Sequence, residues 1–385
     1  MNISDSVIYA GVNDTELDLF EGQYDIHDGI SYNSYIILDE KTAVMDSVDA
    51  RKTEEWLDRV DKALAGRKPD YLVVAHMEPD HSGSLLAAAR KYPDMRLVMS
   101  AKAAGMLPQF GCGELTGRAL TVKENDTLPL GSHTLRFFMA PMVHWPEVMV
   151  SYEETEKILF SADAFGKFGA LEEDSDEDWV GEAREYYINI VGKYGGPVQT
   201  LLKKAAVLDV HTICPLHGPV LDENLPYYFD KYQVWSSYEP EEKGTLVAFG
   251  TLHGNTGKAA KMLANLLKDA GETVEIVDLA RCNLSETVAA AFRYDKLVLA
   301  CPTYDGGIFP KMEEFISHLK SKAYQKRKVA FIENGSWAPM AAKQMKALLE
   351  GCKELSFAET VVTIKSTLNE ASEAQLRDLA RELLA

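Results

Sequence analysis

Several features of secreted, membrane-bound and nucleic-acid-binding proteins are missing from this sequence. The five cysteines are scattered and form no CxxC pair, which excludes a rubredoxin-like or zinc-ribbon module and is typical of a reduced cytoplasm. No apolar run approaches the roughly 20 residues that a membrane-spanning helix needs. The first residues lack the basic and apolar regions of a signal peptide. We therefore expect a cytoplasmic protein.

Positive charge is also scarce. The chain has 40 lysines and arginines against 59 aspartates and glutamates, a net charge of −19. Attraction to phosphate requires a basic surface, so this balance argues against nonspecific binding to nucleic acids and against docking on anionic membranes. We expect neither nucleic acid nor membrane among the partners.

The acidic residues are concentrated in the first part of the chain. Residues 244–385 contain 18 basic and 17 acidic residues, which leaves 22 and 42 for residues 1–243. The change coincides with a polar segment, SSYEPEEKG at residues 236–244, that has the composition of a linker. A chain of 385 residues is long enough for two domains. The sequence therefore predicts domains at residues 1–243 and 244–385.

The two parts differ in their secondary-structure pattern. In the second part, short apolar runs such as TLVAFG and KLVLA alternate with helical patterns such as GKAAKMLANLLKDAG. This alternation predicts a doubly wound, parallel α/β sheet of five strands. In the first part, short apolar strands and helices alternate less regularly. This pattern predicts a mixed α/β sandwich but does not identify its fold family.

The segment HMEPDHSG follows the apolar strand YLVVA and contains His76, Glu78, Asp80 and His81. Four metal-binding side chains within six residues cannot all reach one ion comfortably. They can serve two ions about 3.5–4 Å apart, as in two-metal sites.

Three further candidates each follow a short apolar run. His144 follows FFMAPMV, Asp163 follows ILFSA, and His217 follows TICPL. Loops at strand ends are where a rigid sheet directs ligands to one point. Each residue alone could be an ordinary loop residue, but the series in this order points to a metal centre.

This order of ligands resembles the metallo-β-lactamase superfamily, and Glu78, where the hydrolases have histidine, resembles its flavodiiron branch. The segment at residues 31–40, SYNSYIILDE, is similar to a segment of the same family. Carboxylate-rich sites suit iron or manganese, whereas zinc favours nitrogen and sulfur. The resemblance implies an αββα sandwich with two Fe per chain and no catalytic residue beyond the metal ligands. It implies one iron on His76, Glu78 and His144, a second on Asp80, His81 and His217, and Asp163 as the bridge.

The segment TLVAFGTLHGNTGKAA reads as strand, loop and helix. Its loop, residues 251–256, resembles the flavodoxin phosphate loop, in which hydroxyls and backbone N–H groups surround a phosphate at a helix N-terminus. The segment lacks the lysine of a Walker A loop and the GxGxxG of a dinucleotide site. A hydroxyl-rich turn before a helix could also be a simple helix cap.

Two later loops, CPTYDGGIFP at residues 301–310 and ENGSWAPMAAK at residues 333–343, also resemble flavodoxin-like domains. The resemblance implies bound FMN, with Tyr304 and Trp337 as candidates for stacking on the flavin, although either could be an ordinary surface aromatic. The implied contacts are Thr251, Leu252, His253, Gly254, Asn255, Thr256, Pro302, Thr303, Tyr304, Asp305, Gly306, Ser336, Trp337 and Ala338.

Together the two parts resemble the flavodiiron protein family over nearly the whole chain. The resemblance implies reduction of O2 to water, of NO to N2O, or both. It also implies a small rubredoxin-like electron donor and a head-to-tail homodimer or dimer of dimers. The preference between O2 and NO stays open, because Phe20 is followed by Glu21 where many members have histidine.

Two other functions remain open at this point. One is a zinc-dependent hydrolase with a flavodoxin-like regulatory domain, and the other is a non-catalytic flavin electron carrier. A basic segment at residues 320–328, KSKAYQKRK, could attract an acidic carrier protein or could simply be a solvated helix end.

Overall fold

The structure is a computed structural model that describes residues 3–171 and 179–385. Its contacts divide the chain into two compact units, Met1–Gln233 and Val234–Ala385. The linker-like segment belongs to the second unit, where Lys326 Nζ donates to the Ser237 carbonyl (3.0 Å) and Arg327 Nη1 donates to the Tyr238 carbonyl (2.7 Å). The domain boundary at residues 243/244 remains a prediction.

The first unit is built on two sheets of short strands. In chain order the strands are β1 (Val7–Tyr9), β2 (Val12–Asp14), β3 (Leu19–Phe20), β4 (Tyr24–Asp25), β5 (Ile30–Tyr32), β6 (Tyr35–Ile37), β7 (Ala43–Met45), β8 (Tyr71–Val74), β9 (Arg96–Ser100), β10 (Ala119–Val122), β11 (Thr127–Pro129), β12 (Thr134–Met139), β13 (Met149–Glu153), β14 (Ile158–Phe160) and β15 (Thr212–Cys214). One sheet has the order β1-β6-β7-β8-β9-β10 and becomes parallel from β7 onward. The other has the order β11-β12-β13-β14-β15, with β14 and β15 parallel.

The helices of the first unit are α1 (Thr53–Leu64), α2 (Pro79–Ser82), α3 (Leu85–Lys91), α4 (Ala101–Met106), α5 (Val180–Tyr186), α6 (Gly195–Ala205) and α7 (Leu225–Ser236), the last of which crosses the boundary between the units. In α1 the buried residues Trp56, Val60 and Leu64 recur every fourth position and form one apolar face. The core between the sheets is apolar and contains Tyr35 and Val73 from one sheet and Phe137 and Phe160 from the other. The predicted mixed α/β sandwich is confirmed.

The second unit contains one main parallel sheet. Its strands are β16 (Glu242–Phe249), β17 (Val274–Asp278), β18 (Tyr294–Tyr304), β19 (Gly307–Ile308), β20 (Lys328–Asn334) and β21 (Ser356–Ile364), and its helices are α8 (Asn255–Asp269), α9 (Leu284–Arg293), α10 (Pro310–Ser321), α11 (Ala341–Leu348) and α12 (Glu370–Leu384). The strand order β17-β16-β18-β20-β21 is parallel throughout, and β19 pairs only with β18. This order confirms the doubly wound fold. It places the switch point, where ligands bind, at the carboxyl ends of β16 and β18.

No helix in the described ranges combines the length and the apolar character that crossing a lipid bilayer would require.

A charged triad joins distant turns of the first unit. His133 Nδ1 lies 2.8 Å from Asp39 Oδ2 and His133 Nε2 lies 3.1 Å from Glu156 Oε1. Burial alone would lower the pKa of His133, but the two carboxylates raise it above its usual value. Burial would likewise raise the pKa of Asp39 and Glu156, but hydrogen bonds, including those from His133, hold both below their usual values. The triad is therefore most stable in its fully charged form.

We expect His133→Gln to destabilise the first unit in a pH-dependent way. The contribution of His133 is complete below its unfolded pKa and is lost as pH rises through the raised folded pKa, whereas the carboxylate contributions are lost as pH falls. The loss should therefore be largest near pH 5–6, at about 1–3 kcal/mol, and should shrink toward pH 9. Urea denaturation at several pH values measures it, with the exposed His211→Gln as control. A loss that does not change with pH contradicts the assignment.

Candidate metal and flavin sites

The first unit brings all seven predicted metal ligands together in two groups. Within each group the candidate ligand atoms lie within 4.8 Å of one another. The first group is His76, Glu78, His144 and Asp163, and the second is Asp80, His81 and His217. Five of the seven side chains come from loops at strand ends and two, Asp80 and His81, from the short helix α2.

The local structure of the HMEPDH segment separates its side chains. The Asp46 carboxylate accepts a hydrogen bond from the Ala75 amide (2.7 Å), which fixes the chain directly before His76. Pro79 then begins α2, at a position where a backbone N–H would have no hydrogen-bond partner within the helix. The Glu78 carbonyl accepts from the His81 amide (2.9 Å) in a tight turn. As a result, the residues before the turn belong to the first group and those within it to the second.

Asp163 lies between the two groups. Its Oδ2 atom is 3.4 Å from His76 Nε2 and 3.4 Å from His144 Nε2. Its Oδ1 atom is 3.0 Å from His81 Nε2 and 3.8 Å from His217 Nε2. Because each oxygen faces a different group, the carboxylate has the position of a bridge between two metal ions.

The polar atoms of this cluster lack the hydrogen bonds that burial normally demands. Both carboxylate oxygens of Asp80 and Asp163 and the Nε2 atoms of His81, His144 and His217 are buried without a hydrogen-bond partner among the described residues. Such groups cost roughly 1–3 kcal/mol each when they remain unsatisfied. Since they converge from several sides, bound cations would satisfy them together. A donor set of carboxylate oxygen and imidazole nitrogen, without sulfur, fits iron or manganese.

The electrostatics of the cluster also favour a positive charge. Burial alone would lower the pKa of His81 and His144. Asp80 and Asp163 raise that of His81 to about 9, and Asp163 and Glu78 do the same for His144. The pocket therefore draws either protons or metal cations to balance its carboxylates.

Outer residues orient two of the histidines. His76 Nδ1 lies 2.8 Å from Glu147 Oε1, and His217 Nδ1 donates to the Ser31 carbonyl (2.7 Å). The segment at residues 31–40 also holds the His217 loop, since Asn33 Nδ2 donates to the carbonyls of Pro215 (2.9 Å) and Gly218 (2.7 Å). Sequence reasoning did not identify these roles. Glu147 lies three residues after His144 but 71 positions after His76, so its position in the sequence does not mark it as the partner of His76.

Aromatic rings surround the cluster. Phe20 and Tyr186 each lie 5.6 Å from the His217 ring, and Trp145 lies 5.1 Å from the His76 ring, measured between centroids. Burial, with the nearby carboxylates, raises the pKa of Tyr186 and keeps its hydroxyl protonated. No motif or spacing in the sequence marks Tyr186, which reaches the site from α5. This wall is suited to a small, weakly polar substrate.

In the second unit, the predicted phosphate loop connects β16 to α8. Gly254 adopts φ +88°, a conformation that strains other residues, and its amide donates to Thr251 Oγ1 (3.1 Å). Asn255 begins the helix, whose first N–H groups are available for an anion. The loop thus has the geometry of a phosphate cradle at a helix N-terminus.

Beside this loop is a cavity of about 460 Å³, a size that is typical of small-molecule sites. Trp337 is 92% exposed and Tyr304 is 41% exposed at its rim, so both rings are free to cover a bound flavin. Every predicted flavin contact except Gly254 lines the cavity, namely Thr251, Leu252, His253, Asn255, Thr256, Pro302, Thr303, Tyr304, Asp305, Gly306, Ser336, Trp337 and Ala338. Asn334 and Ser366, which sequence reasoning missed, also line it and hydrogen-bond to each other (3.0 and 3.1 Å).

The fold and the two sites define a class of protein that carries a carboxylate-rich two-metal site in one unit and a flavin-type cavity in the other. Two family models match the chain: an ODP family beta lactamase at residues 30–218 and a flavodoxin domain at residues 246–363. The chain belongs to the flavodiiron protein family, as the sequence predicted.

Named relatives and a solved structure agree with this. The chain is 29% identical to a rubredoxin-oxygen oxidoreductase of Megalodesulfovibrio gigas, covering 92% of this chain and 90% of that protein. It is 27% identical to a nitric oxide reductase of Moorella thermoacetica, covering 94% and 92%. The crystal structure of the flavodiiron protein from Giardia intestinalis matches with a TM-score of 0.92 and 25% identity over 99% of this chain and 96% of that one. The expected combination of metallo-β-lactamase-like and flavodoxin-like domains is confirmed.

Proposed function

We propose that this protein is an oxidoreductase that reduces O2, NO or both at two irons supplied with electrons by FMN. The observation that carries the proposal is Asp163, whose two carboxylate oxygens face two separate groups of buried, unpartnered metal-binding atoms. The names of the relatives support the reaction, since one is an oxygen oxidoreductase and another a nitric oxide reductase.

Each side chain of the metal site has a defined task in this proposal. His76, Glu78 and His144 would hold one iron, Asp80, His81 and His217 would hold the other, and Asp163 would serve both. When bound, the irons supply the redox chemistry and a position for a diatomic ligand. The aromatic wall of Phe20, Trp145 and Tyr186 limits access by water and by larger polar molecules.

FMN would occupy the cavity of the second unit, with its phosphate at the loop of residues 251–256 and its ring beneath Trp337 and Tyr304. The single phosphate loop fits a mononucleotide, and the sequence has no pyrophosphate fingerprint. We also propose the functional division of the chain at residues 1–243 and 244–385.

A small rubredoxin-like protein is the proposed electron donor, and a head-to-tail homodimer or dimer of dimers is the proposed assembly. The exposed rim of the flavin cavity, with Leu252, Tyr304, Trp337 and Met340, supports contact with another protein surface. The basic segment at residues 320–328 supports donor binding poorly. Arg327 is buried, and Lys326 pairs with Glu239 within the second unit.

The hydrolase alternative is not favoured. Glu78 lies within 3.0 Å of His144 and 3.2 Å of His76, which places a carboxylate where zinc hydrolases use histidine. The named relatives are oxidoreductases, which also disfavours a carrier without catalytic activity.

Metal and flavin analysis followed by gas consumption tests the proposal. Protein purified without oxygen should contain two irons and one FMN per chain. It should consume O2 or NO when a reduced rubredoxin is supplied. Stoichiometric zinc with esterase or thioesterase turnover would establish the hydrolase instead, and measuring both gases under the same conditions reports the preference between them.

We expect FMN to be released by heat or acid and to be weakly retained in Asn255→Trp. The indole would enter the space at the start of α8 where the phosphate is expected, so flavin affinity should fall by at least about 10-fold while iron content stays unchanged. Chromatography of the released flavin and titration of the flavin-free protein measure both effects. Asn265→Trp, on an exposed face of the same helix, is the matched control. Recovery of FAD, or equal flavin affinity in both variants, contradicts the assignment.

A further inference from the structure

A buried carboxylate forms a hydrogen bond with the outer ring nitrogen of one of the candidate metal-binding histidines. Glu147 is 1% exposed, and its Oε1 atom lies 2.8 Å from His76 Nδ1 and accepts the Met77 amide at 3.0 Å. Because a carboxylate accepts hydrogen bonds, the ring proton of His76 is held at Nδ1. The Nε2 atom of His76, which faces Glu78 and Asp163, is therefore left free to bind metal.

In the part of the chain that the structure describes, no carboxylate is hydrogen-bonded to Nδ1 of the second group's histidines. His217 Nδ1 donates to a neutral backbone carbonyl, that of Ser31. His81 Nδ1 is buried without a hydrogen-bond partner among the described residues. A carboxylate behind a ligating imidazole fixes its orientation and raises its basicity more than a neutral acceptor does. The two metal positions thus receive imidazoles of unequal donor strength.

Glu147 has no lysine or arginine partner among the described residues. Its ion pair there is with His76, and its Oε2 atom has no hydrogen-bond partner within the same residues. The number of carboxylates that face the metal positions directly is otherwise the same for both groups. Glu78 belongs to the first group, Asp80 belongs to the second, and Asp163 faces both. The first position therefore has one more carboxylate hydrogen-bonded to its histidines than the second has among the described residues.

We propose that Glu147 makes the two metal positions unequal, so that the position of His76, Glu78 and His144 binds ferrous iron first and more tightly. Glu147 acts through His76 and is a positioning residue rather than a metal ligand. This inference rests on the proposed diiron function and adds an order of loading to it.

Mössbauer spectroscopy of the full-length, metal-free protein tests the order without any variant. One equivalent of ⁵⁷Fe²⁺, added without oxygen, should give one quadrupole doublet, and a second equivalent should add a different one. Two doublets of equal area at one equivalent would overturn the proposal. A wild-type protein that binds no second iron would instead refute the proposed diiron function.

Glu147→Gln then tests the residue, because the amide keeps the shape and removes the charge. Affinity for the first iron should fall by about 10–100-fold, while the doublet of the second position stays unchanged. Asp39→Asn is the matched control, since Asp39 Oδ2 lies at the same 2.8 Å distance from Nδ1 of His133, a histidine that is not part of either group of candidate metal ligands. An equal loss of iron affinity at both positions would overturn the role of Glu147. So would an unchanged iron affinity in a variant whose metal-free form has the same melting temperature as the wild type.

Discussion

Replacing Asp163 with asparagine is expected to release iron from both positions at once and to abolish gas reduction, while the flavin spectrum stays normal. Its Oδ1 and Oδ2 atoms face different groups, so the change weakens both positions together. It also leaves a neutral amide among buried histidines that the carboxylate had balanced. We expect iron content to fall from two per chain to below one and the turnover rate to fall by at least about 100-fold.

Two further variants test whether the effect is specific to the shared carboxylate of Asp163. Asp209→Asn removes an exposed carboxylate of the same unit and should leave iron and turnover unchanged. His81→Ala removes a side chain of the second group, whose Nε2 atom lies 3.4 Å from Asp80 Oδ2 and 3.0 Å from Asp163 Oδ1, so it should weaken the second position more than the first. Iron analysis and oxygen or nitric oxide electrodes provide the measurements. An Asp163→Asn protein with two irons and full turnover would show that the metal assignment is wrong.

The clustering of the seven candidate metal ligands could be predicted because their order and spacing are visible in the sequence. His76, Glu78, Asp80 and His81 lie within six residues of the chain, and the short helix α2 begins directly after Glu78. His144, Asp163 and His217 each follow a short apolar run, and such runs form strands that end at a common edge. The parallel pairing of β14 and β15 then brings Asp163 and His217 together.

The outer residues of the site could not be predicted in the same way. Glu147 is one of 59 acidic residues, and neither its spacing nor its neighbours mark it as the partner of His76, which lies 71 positions earlier. Tyr186 reaches the cluster only through the tertiary packing of α5. The burial of Arg327 in the basic segment could not be predicted either. A run of charges is typical of a solvated surface, but Arg327 is buried and donates to backbone carbonyls.

The segment between the two parts is held by hydrogen bonds within the second unit. Residues 236–244 are polar and include proline, which is typical of a linker. In the structure, Trp235 Nε1 donates to Glu241 Oε2 (3.0 Å), and lysine and arginine side chains hold the carbonyls of Ser237 and Tyr238. Composition predicts a linker here, whereas the hydrogen bonds that hold the segment join residues distant in sequence, which composition does not show.

Mixing two inactive full-length variants is expected to restore activity if FMN of one chain supplies the irons of another. Asp163→Asn keeps its flavin and loses its metal site, whereas Asn255→Trp keeps its metal site and loses its flavin. In a head-to-tail mixed dimer, the flavin of the first chain faces the intact irons of the second. With random exchange of subunits, about a quarter of the wild-type rate should return.

We expect the restored activity to come only from mixed dimers and not from either variant alone. Each variant incubated with itself, or with free FMN, should stay inactive. Mixing at a temperature that prevents subunit exchange should also give no activity, which excludes transfer between colliding dimers. Mass-tagged chains reveal whether mixed dimers have formed. If they form and the mixture remains inactive, electrons must pass within one chain, and the proposed cross-chain pairing of flavin and metal site is wrong, while the metal and flavin assignments of each unit still stand.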